Sequence, residues 1–564
     1  MAEIVNYSPQ GIIDKALFNF DAMGGSNFKL SGEVVVSISS PFTYAQFLNG
    51  YGNNAVWTPD VSAIYWSNTQ VANINSILDI YKQFCNISFT TVFDNTRYTP
   101  AGAGLNTNSD INITLLYRSN LSWSGMSSIN ENSFGYQGSE LDIALNTARF
   151  GSSDYSLATT SFGGHVLMHE IGHSLGLSHP FFASATNLTA DYSATTAVGF
   201  QKLGFVITSA ADMNKEYFSI MSYDNEKPFN SVDTYAQTPM ILDVIALQAA
   251  YGAGSGTSAT GDNIFTPGSV AGVNSYRTYF DSVGNDSVNL SNYSQGAYIH
   301  LGTSIIGANE LVGVTMNISD YRLMTNAQSP QSLRWLYGQY ENAIGSISTD
   351  LIIGNAVNNV LTGNGGNDLM DGGLGIDTAQ YSGKISEYRG TLATQSVISD
   401  TVANRDGMDT IVGIERLRFS DVNLAIDTAP TQSSGKTALL LGTVLPGKLA
   451  LDSSKHQLIG TVINLFDQGY SLQSLSGAVL RLPIWDTLTG KFAPTTTDIA
   501  SYLVNNIYGG NANQTIINSA ILAMTNESAE NQGAYLANLA LSEASQSHIG
   551  LIGIQASGLA YTAS

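Results

Sequence analysis

The chain has 564 residues, enough for two or three domains with substantial cores. Acidic residues outnumber basic ones by 44 to 22, a formal charge of −22, so no cationic face is available for nucleic acid and that class of function is excluded. Only 12% of residues are charged while Gly, Ser, Thr and Asn are plentiful, the composition of a β-rich, turn-rich secreted protein.

The excess of carboxylates fits a protein that takes up divalent cations, although an acidic surface is more often just a solvated one. A single cysteine, Cys85, rules out an intramolecular disulfide and is expected to be a small buried residue at a helix end. Met1 to Phe20 carries Glu3 and Asp14 without a basic leader or a long apolar core, so no N-terminal signal peptide is expected. No apolar run reaches the length of a membrane span either.

In chain order, 11–22 has helical spacing and predicts a short N-terminal helix, and 33–38 predicts a strand. The spacing of Ile74, Ile77, Leu78, Tyr81 and Phe84 predicts an amphipathic helix over 71–84, followed by strands at 87–92 and 110–116. Shorter strands at 133–136 and 142–146 complete the series. The piece around Phe134 is expected at the sheet edge, where an extended peptide can add as a strand.

The segment from His169 to Pro180 has the skeleton H-E-x-x-H-x-x-G-x-x-H. On a helix His169 and His173 share one face a turn apart, able to grip one ion, and Gly176 lets the backbone turn so that His179 can return as a third nitrogen ligand. Three protein ligands leave a zinc ion one open position, the mark of a catalytic rather than a structural site. Glu170 can reach a zinc-bound water without being a ligand, the place of a general base. His165, one turn earlier, is expected to be a capping or core histidine. Met221, in Ser219-Ile220-Met221-Ser222-Tyr223, would by itself be core filler.

Past Gly252 helical spacing gives way to short alternating runs with Gly and Asn. Gly354 to Gln380 divides into three nonapeptides following G-G-x-G-x-D-x-U-x. Such repeats predict a parallel β-roll in which glycine turns direct carbonyls inward and aspartates supply hard oxygens to calcium, so that folding and metal binding are coupled. The calcium candidates are Gly354, Asn359, Gly363, Gly365, Asp368, Gly373, Gly375 and Asp377; only the third repeat is complete, and a short roll holding several structural ions is expected. Strands at 406–410 and 413–421 close it, and the Pro, Ser and Gly of 427–435 mark a linker. Beyond it 457–466, 497–507, 514–524 and 534–543 have helical spacing and predict an added helical domain.

The motif from His169 to Pro180, the Ser219–Tyr223 segment and the calcium repeats together resemble the serralysin family, the secreted zinc endopeptidases of the metzincin clan. The likeness continues through 237–240 and 242–248 and covers roughly residues 30 to 425. It implies that Met221 forms the turn beneath one catalytic zinc, that Tyr223 is an additional, displaceable zinc ligand that stabilises the transition state, and that Asp286 is a calcium ligand where the second domain begins. It also implies type I export, although the acidic and apolar C-terminal ending usual in the family is absent from 561–564.

The resulting reading is a multidomain chain: an α+β metzincin zinc protease domain at 1–250, a parallel β-roll at 251–430, and a mainly α-helical domain at 436–564. Its expected function is secreted, calcium-stabilised zinc endopeptidase, acting as a monomer. The expected partners are protein or peptide substrates, type I secretion machinery and a protein inhibitor. The alternative within this chemistry is a narrow-specificity protease that processes surface proteins. The alternative from another class is a calcium-dependent adhesive protein with an inactive protease fold, which the intact ligand set weighs against. The helical tail could carry the export signal, anchor the enzyme at a surface or bind a partner.

Overall fold

The computed structural model describes residues 3–6, 28–39, 66–94, 110–116, 124–129, 141–146, 149–150, 156–180, 197–208, 210–223, 235–256, 261–267, 275–281, 283–305, 311–391, 396–447, 452–510 and 512–563. The chain forms two compact units, Met1–Val288 with Tyr298–Tyr340, and Asn289–Ala297 with Glu341–Ser564. The expected helix at 11–22 and the expected strand at 133–136 lie outside the described residues.

The first unit is built on β1 (Val34–Ser39), α1 (Asn68–Phe84), β2 (Phe89–Asp94), β3 (Ile111–Leu116), β4 (Gly125–Ile129), β5 (Leu141–Asn146), α2 (Phe162–Ser174) and α3 (Ile241–Tyr251). The five strands form one sheet in the order β2-β1-β3-β5-β4, parallel except for β4. Alternate residues of β1, β3 and β5 (Val34, Val36, Ile38; Ile111, Ile113, Leu115; Leu141, Ile143, Leu145) are buried, the period-two pattern that commits one face to a core.

Helix α1 begins at a reciprocal cap: Gln70 N–H donates to Ser67 Oγ at 3.2 Å and Ser67 N–H donates to Gln70 Oε1 at 2.8 Å. Its buried stripe is the one the spacing predicted, and within it Tyr81 O–H donates to the Met168 carbonyl at 2.6 Å, joining α1 to α2. Cys85 follows the helix fully buried, and burial pushes its thiol up to about 12, which removes the reactive thiolate.

One edge of the sheet is β4, antiparallel to β5. Its sequence, Gly-Met-Ser-Ser-Ile, has no alternating apolar pattern, because an edge strand beside a cleft need not bury one face against a core. A second sheet in this unit orders Ala297–Ser304, Leu311–Asn317, Leu333–Gly338, Ser275–Asp281 and Tyr235–Ala236. It is tied to the segment before Met221 by Trp335, which is fully buried, stacks on Phe205 at 5.1 Å and donates Nε1–H to the Tyr217 carbonyl at 2.6 Å.

In the second unit Leu351–Asn355, Leu369–Gly373 and Met408–Val412 run parallel, as do Asn342–Ile344, Val360–Thr362, Thr378–Gln380 and Arg416–Arg418. Leu351 pairs with Leu369 and Val360 with Thr378, so each coil advances by two nonapeptides. The helical region follows, with Ser433–Val444, His456–Asp467, Leu472–Val479, Thr496–Tyr508, Gln514–Met524, Ala529–Ala540 and Glu543–Ile549 as its main helices.

The stretch 427–435, expected as a linker, is instead structured. Helix Ser433–Val444 starts inside it, and the buried Asp427 carboxylate accepts from both Arg416 and Ser434. Ser-Ser-Gly at a buried first turn has the composition of a hinge, and only packing distinguishes the two. Leu559–Tyr561 then returns as a strand antiparallel to Asn423–Ala425, so the helical region and the repeats share one unit.

Candidate metal centre

Helix α2 starts at Ser161, whose Oγ accepts the Gly164 N–H at 3.2 Å. It ends where Gly176 adopts φ +99. The Leu177 N–H reaches the Gly172 carbonyl and the Gly176 N–H reaches the His173 carbonyl, both at 2.9 Å, a Schellman ending that needs a left-handed residue at Gly176. The same turn aims the Leu177 carbonyl at His173 Nδ1, 2.8 Å away, and brings His179 back over the helix.

The Nε2 atoms of the three histidines converge. His179 Nε2 is 3.1 Å from His169 Nε2 and 3.0 Å from His173 Nε2, and one nitrogen from each lies within 4.8 Å of the others. His169 Nδ1 faces the Ile220 carbonyl at 2.8 Å as His173 Nδ1 faces that of Leu177. A carbonyl only accepts, so both rings carry their proton on Nδ1 and point the Nε2 lone pair inward, the tautomer a metal needs. Burial, reinforced by the His173 imidazole, lowers His179 to about 3, and burial lowers His173 to about 4 against the opposing hydrogen bond to Leu177, so both are neutral near neutral pH. Three buried lone pairs directed at one point fit a zinc ion, with His169, His173 and His179 to hold it.

Glu170 lies beside this cluster and outside it. Its carboxylate is buried and accepts the Ser127 N–H of β4, and its Oε2 has no hydrogen-bond partner among the described residues. Burial pushes it up to about 8. β4 comes this close only because residue 125 is glycine: a Cβ there would lie 2.5 Å from Val166 Cγ1 and 2.7 Å from Glu170 Oε1.

Met221 is fully buried beneath α2, its Sδ 2.7 Å from where a Cβ on Gly172 would be. The turn carrying it is held by Asp243 of α3, which is fully buried. Asp243 Oδ1 accepts Ser219 O–H at 2.6 Å, and Oδ2 accepts Ile220 N–H at 2.7 Å and Met240 N–H at 2.8 Å. Ile220 thus links Asp243 on one side to His169 on the other. Tyr223 is 63% exposed, and its ring stacks on His169 at 5.3 Å and stands 4.5 Å from His179.

His165 does not join the metal cluster; its Nδ1 lies 3.3 Å from the Ala236 carbonyl and 3.3 Å from Glu216 Oε1. The spacing of the motif pointed to the three histidines, Glu170 and Gly176. Asp243, Gly125, Ser127 and Glu216 carried no such signal, because they reach the site from elsewhere in the chain. A cavity of about 380 Å³ opens beside Glu170 and Tyr223 and extends to His165 and Glu216.

Among the calcium candidates, Asp368 and Asp377 each present a buried Oδ2 without a hydrogen-bond partner among the described residues, the kind of orphaned oxygen that a hard cation satisfies. Their Oδ1 atoms accept the N–H groups of Asp350 and Asn359, each one coil away. Gly373 and Gly375 have φ +91 and +131, and a Cβ at Gly354 or Gly363 would strike Asn359 Oδ1 or Asp368 Oδ2. A Cβ on Gly365 would lie 3.1 Å from the Arg405 carbonyl. Asn359 is engaged differently: its amide donates to the Glu341 carbonyl at 2.8 Å and its Oδ1 accepts Asn355 N–H at 2.8 Å. Asp286 is buried in the first unit and its Oδ1 accepts the Asn263 N–H at 2.8 Å.

Comparison with known proteins agrees with this geometry. Serralysin of Proteus mirabilis is 26% identical over 351 residues, and serralysin G of Dickeya chrysanthemi is 27% identical over 358 residues. The chain is serralysin-like. Each of these matches takes in 59% of this chain and 62% or 63% of the relative, so the chain spans about three fifths of the length of the curated relatives it matches. Metallopeptidase AprA of Pseudomonas marginalis is 30% identical over 205 residues, 35% of this chain and 38% of that protein. No family model matches the chain. Among the described residues of this serralysin-like chain no helix is long and apolar enough to cross a membrane.

Proposed function

We propose that this protein is a secreted zinc endopeptidase stabilised by calcium. One observation carries the reading: three imidazoles, two of them fixed in the metal-binding tautomer by backbone carbonyls, converge beside a buried carboxylate with an oxygen unpartnered among the described residues. In this proposal 1–250 carries the chemistry, 251–430 forms a calcium-binding β-roll and 436–564 is a helical domain of separate role, with 298–340 packing in the first compact unit.

When bound at the three histidines, zinc supplies a Lewis acid toward a scissile carbonyl and acidifies water. Glu170 takes the proton of the attacking water at Oε2 and returns it to the leaving amine. The Ser127 N–H and the close approach of Gly125 hold that carboxylate in place. The Tyr223 hydroxyl hydrogen-bonds the developing oxyanion, its ring lying beside His169 and His179. The exposed backbone of β4 receives the substrate as an added strand, which holds peptide bonds with little demand on side chains.

The test is casein hydrolysis in calcium by the wild type, a chelator-treated sample and Glu170→Ala. The variant is expected to fold, to bind one zinc per chain and to lose at least about 10²–10⁴ in rate, the usual contribution of a general base. Wild-type rates in Glu170→Ala would refute the assignment.

A further inference from the structure

Four glycine-headed turns of the second unit, 345–350, 354–359, 363–368 and 372–377, share one geometry and differ in chemistry. In each, a side-chain oxygen of the sixth residue lies where a Cβ on the first would strike it: Asp350 Oδ2 at Gly345, Asn359 Oδ1 at Gly354, Asp368 Oδ2 at Gly363 and Asp377 Oδ2 at Gly372. All four side chains are buried. The first two turns close on protein groups. Asp350 Oδ2 accepts the Ser346 N–H at 2.6 Å, and its Oδ1 accepts the Ala297 N–H at 2.5 Å and the Ser346 hydroxyl at 2.8 Å. Asn359 Oδ1 accepts the Asn355 N–H at 2.8 Å, while its amide donates to the Glu341 carbonyl at 2.8 Å and to Asn355 Oδ1 at 3.1 Å. Asn364 reaches back in the same way, donating to the Gly345 carbonyl at 2.8 Å. Such amide hydrogens bring partial positive charge to a carbonyl oxygen, the part a cation would otherwise play.

The last two turns are closed differently. Asp368 and Asp377 are 1% and 0% exposed, and the Oδ2 of each has no hydrogen-bond partner among the described residues. Their backbone N–H groups draw further carboxylates in, Asp409 Oδ1 at 3.0 Å and Glu415 Oε2 at 2.8 Å. Buried carboxylates grouped in this way repel one another when ionised, and a hard divalent cation supplies both the missing charge and the missing partner.

We propose that calcium dependence is divided along the roll: the turns at 345–350 and 354–359 take no cation and stay formed without one, whereas those at 363–368 and 372–377, once ionised, close only on calcium. Asn359 replaces an ion rather than binding one. Calcium therefore builds the roll outward from a metal-free base. The inference rests on the calcium reading above and assigns the ions to particular turns.

The test is hydrogen exchange of the full chain above neutral pH, in chelator and in calcium, with electron-transfer fragmentation to resolve single amides. The Ser346 and Asn355 N–H groups, bonded within their own turns, are compared with those of Asp368 and Asp377. Calcium is expected to slow the second pair by at least about tenfold and the first pair by less than about twofold. Equal slowing of the two pairs overturns the division and leaves the calcium reading standing; no slowing of either overturns both. Asn359→Asp puts a carboxylate where the amide was, so this variant is expected to melt lower than the wild type in chelator and to bind one further calcium ion per chain by equilibrium dialysis. An unchanged ion count in a folded Asn359→Asp protein overturns the proposal. If the variant does not fold even in calcium, exchange in the wild type decides alone.

Discussion

Replacing Asp243 by alanine is expected to release the turn beneath the three clustered histidines. The carboxylate is fully buried and accepts from Ser219 Oγ, Ile220 N and Met240 N at 2.6 to 2.8 Å. Alanine leaves those three donors buried and unpaired, and an unsatisfied buried donor costs about 1–3 kcal/mol. With partial relaxation the expected loss is about 3–6 kcal/mol, a large share of a typical domain stability of about 5–15 kcal/mol. The effect also reaches the metal, because the Ile220 carbonyl that orients His169 belongs to the freed turn. Changes in such supporting groups weaken metal affinity by about 10–100-fold. Asp243→Asn should be milder, since its remaining oxygen can keep Ile220 and Met240 while the Ser219 hydroxyl rotates to accept from the new amide. Denaturant unfolding followed by tryptophan fluorescence gives the first quantity, and competition with a chromophoric chelator gives the second. An Asp243→Ala protein with wild-type unfolding midpoint and wild-type zinc affinity would show that Asp243 does not clamp the turn.

Gly125→Ala places a Cβ 2.7 Å from Glu170 Oε1 and 2.5 Å from Val166 Cγ1. It should lower kcat/KM about 10–100-fold by displacing the carboxylate, with zinc content unchanged by metal analysis. Tyr223→Phe keeps the ring on His169 and loses only the hydroxyl, so kcat should fall about 10²-fold with an unaltered melting temperature. In the second unit burial above all, aided by neighbouring carboxylates, pushes Asp368 up to about 8 and Asp377 and Asp409 to about 7. Their folded values exceed the unfolded ones, so the stability they contribute is complete below the ordinary carboxylate range and is lost as pH rises through 7 to 8. In chelator the calorimetric melting temperature should fall from pH 5 to pH 8, and added calcium should raise it more at pH 8 than at pH 5. A flat profile without calcium would contradict this.

The parts of the protein legible in the sequence are those set within a few residues. His169 and His173 share one helix face because a helix repeats every 3.6 residues, and Gly176 can end that helix because it accepts φ +99. Ser67 and Gln70 start α1 through bonds three residues apart. The nonapeptide period announces stacked turns because each repeat must pair with its neighbours. A short local rule suffices for each, so the cluster of His169, His173 and His179, the helix at 68–84 and the parallel strands at 351–380 could be anticipated.

The remainder depends on contacts between residues far apart in the chain, which no local pattern specifies. β4 is short, polar and glycine-led, and only its pairing with β5 places Gly125 and Ser127 against Glu170. Asp243 resembles any first-turn helix acid until its carboxylate reaches the turn at Ile220. Trp335 joins the first unit by stacking on Phe205, although the composition had already changed at Gly252. Glu216 and His165 become a pair only when the segment before Met221 folds over α2. The sequence by itself determined which atoms could hold a metal, because ligand spacing on a helix is local geometry. Tertiary structure decided what surrounds them, because burial, orientation and the cavity arise from strands and turns that meet only once the chain has folded.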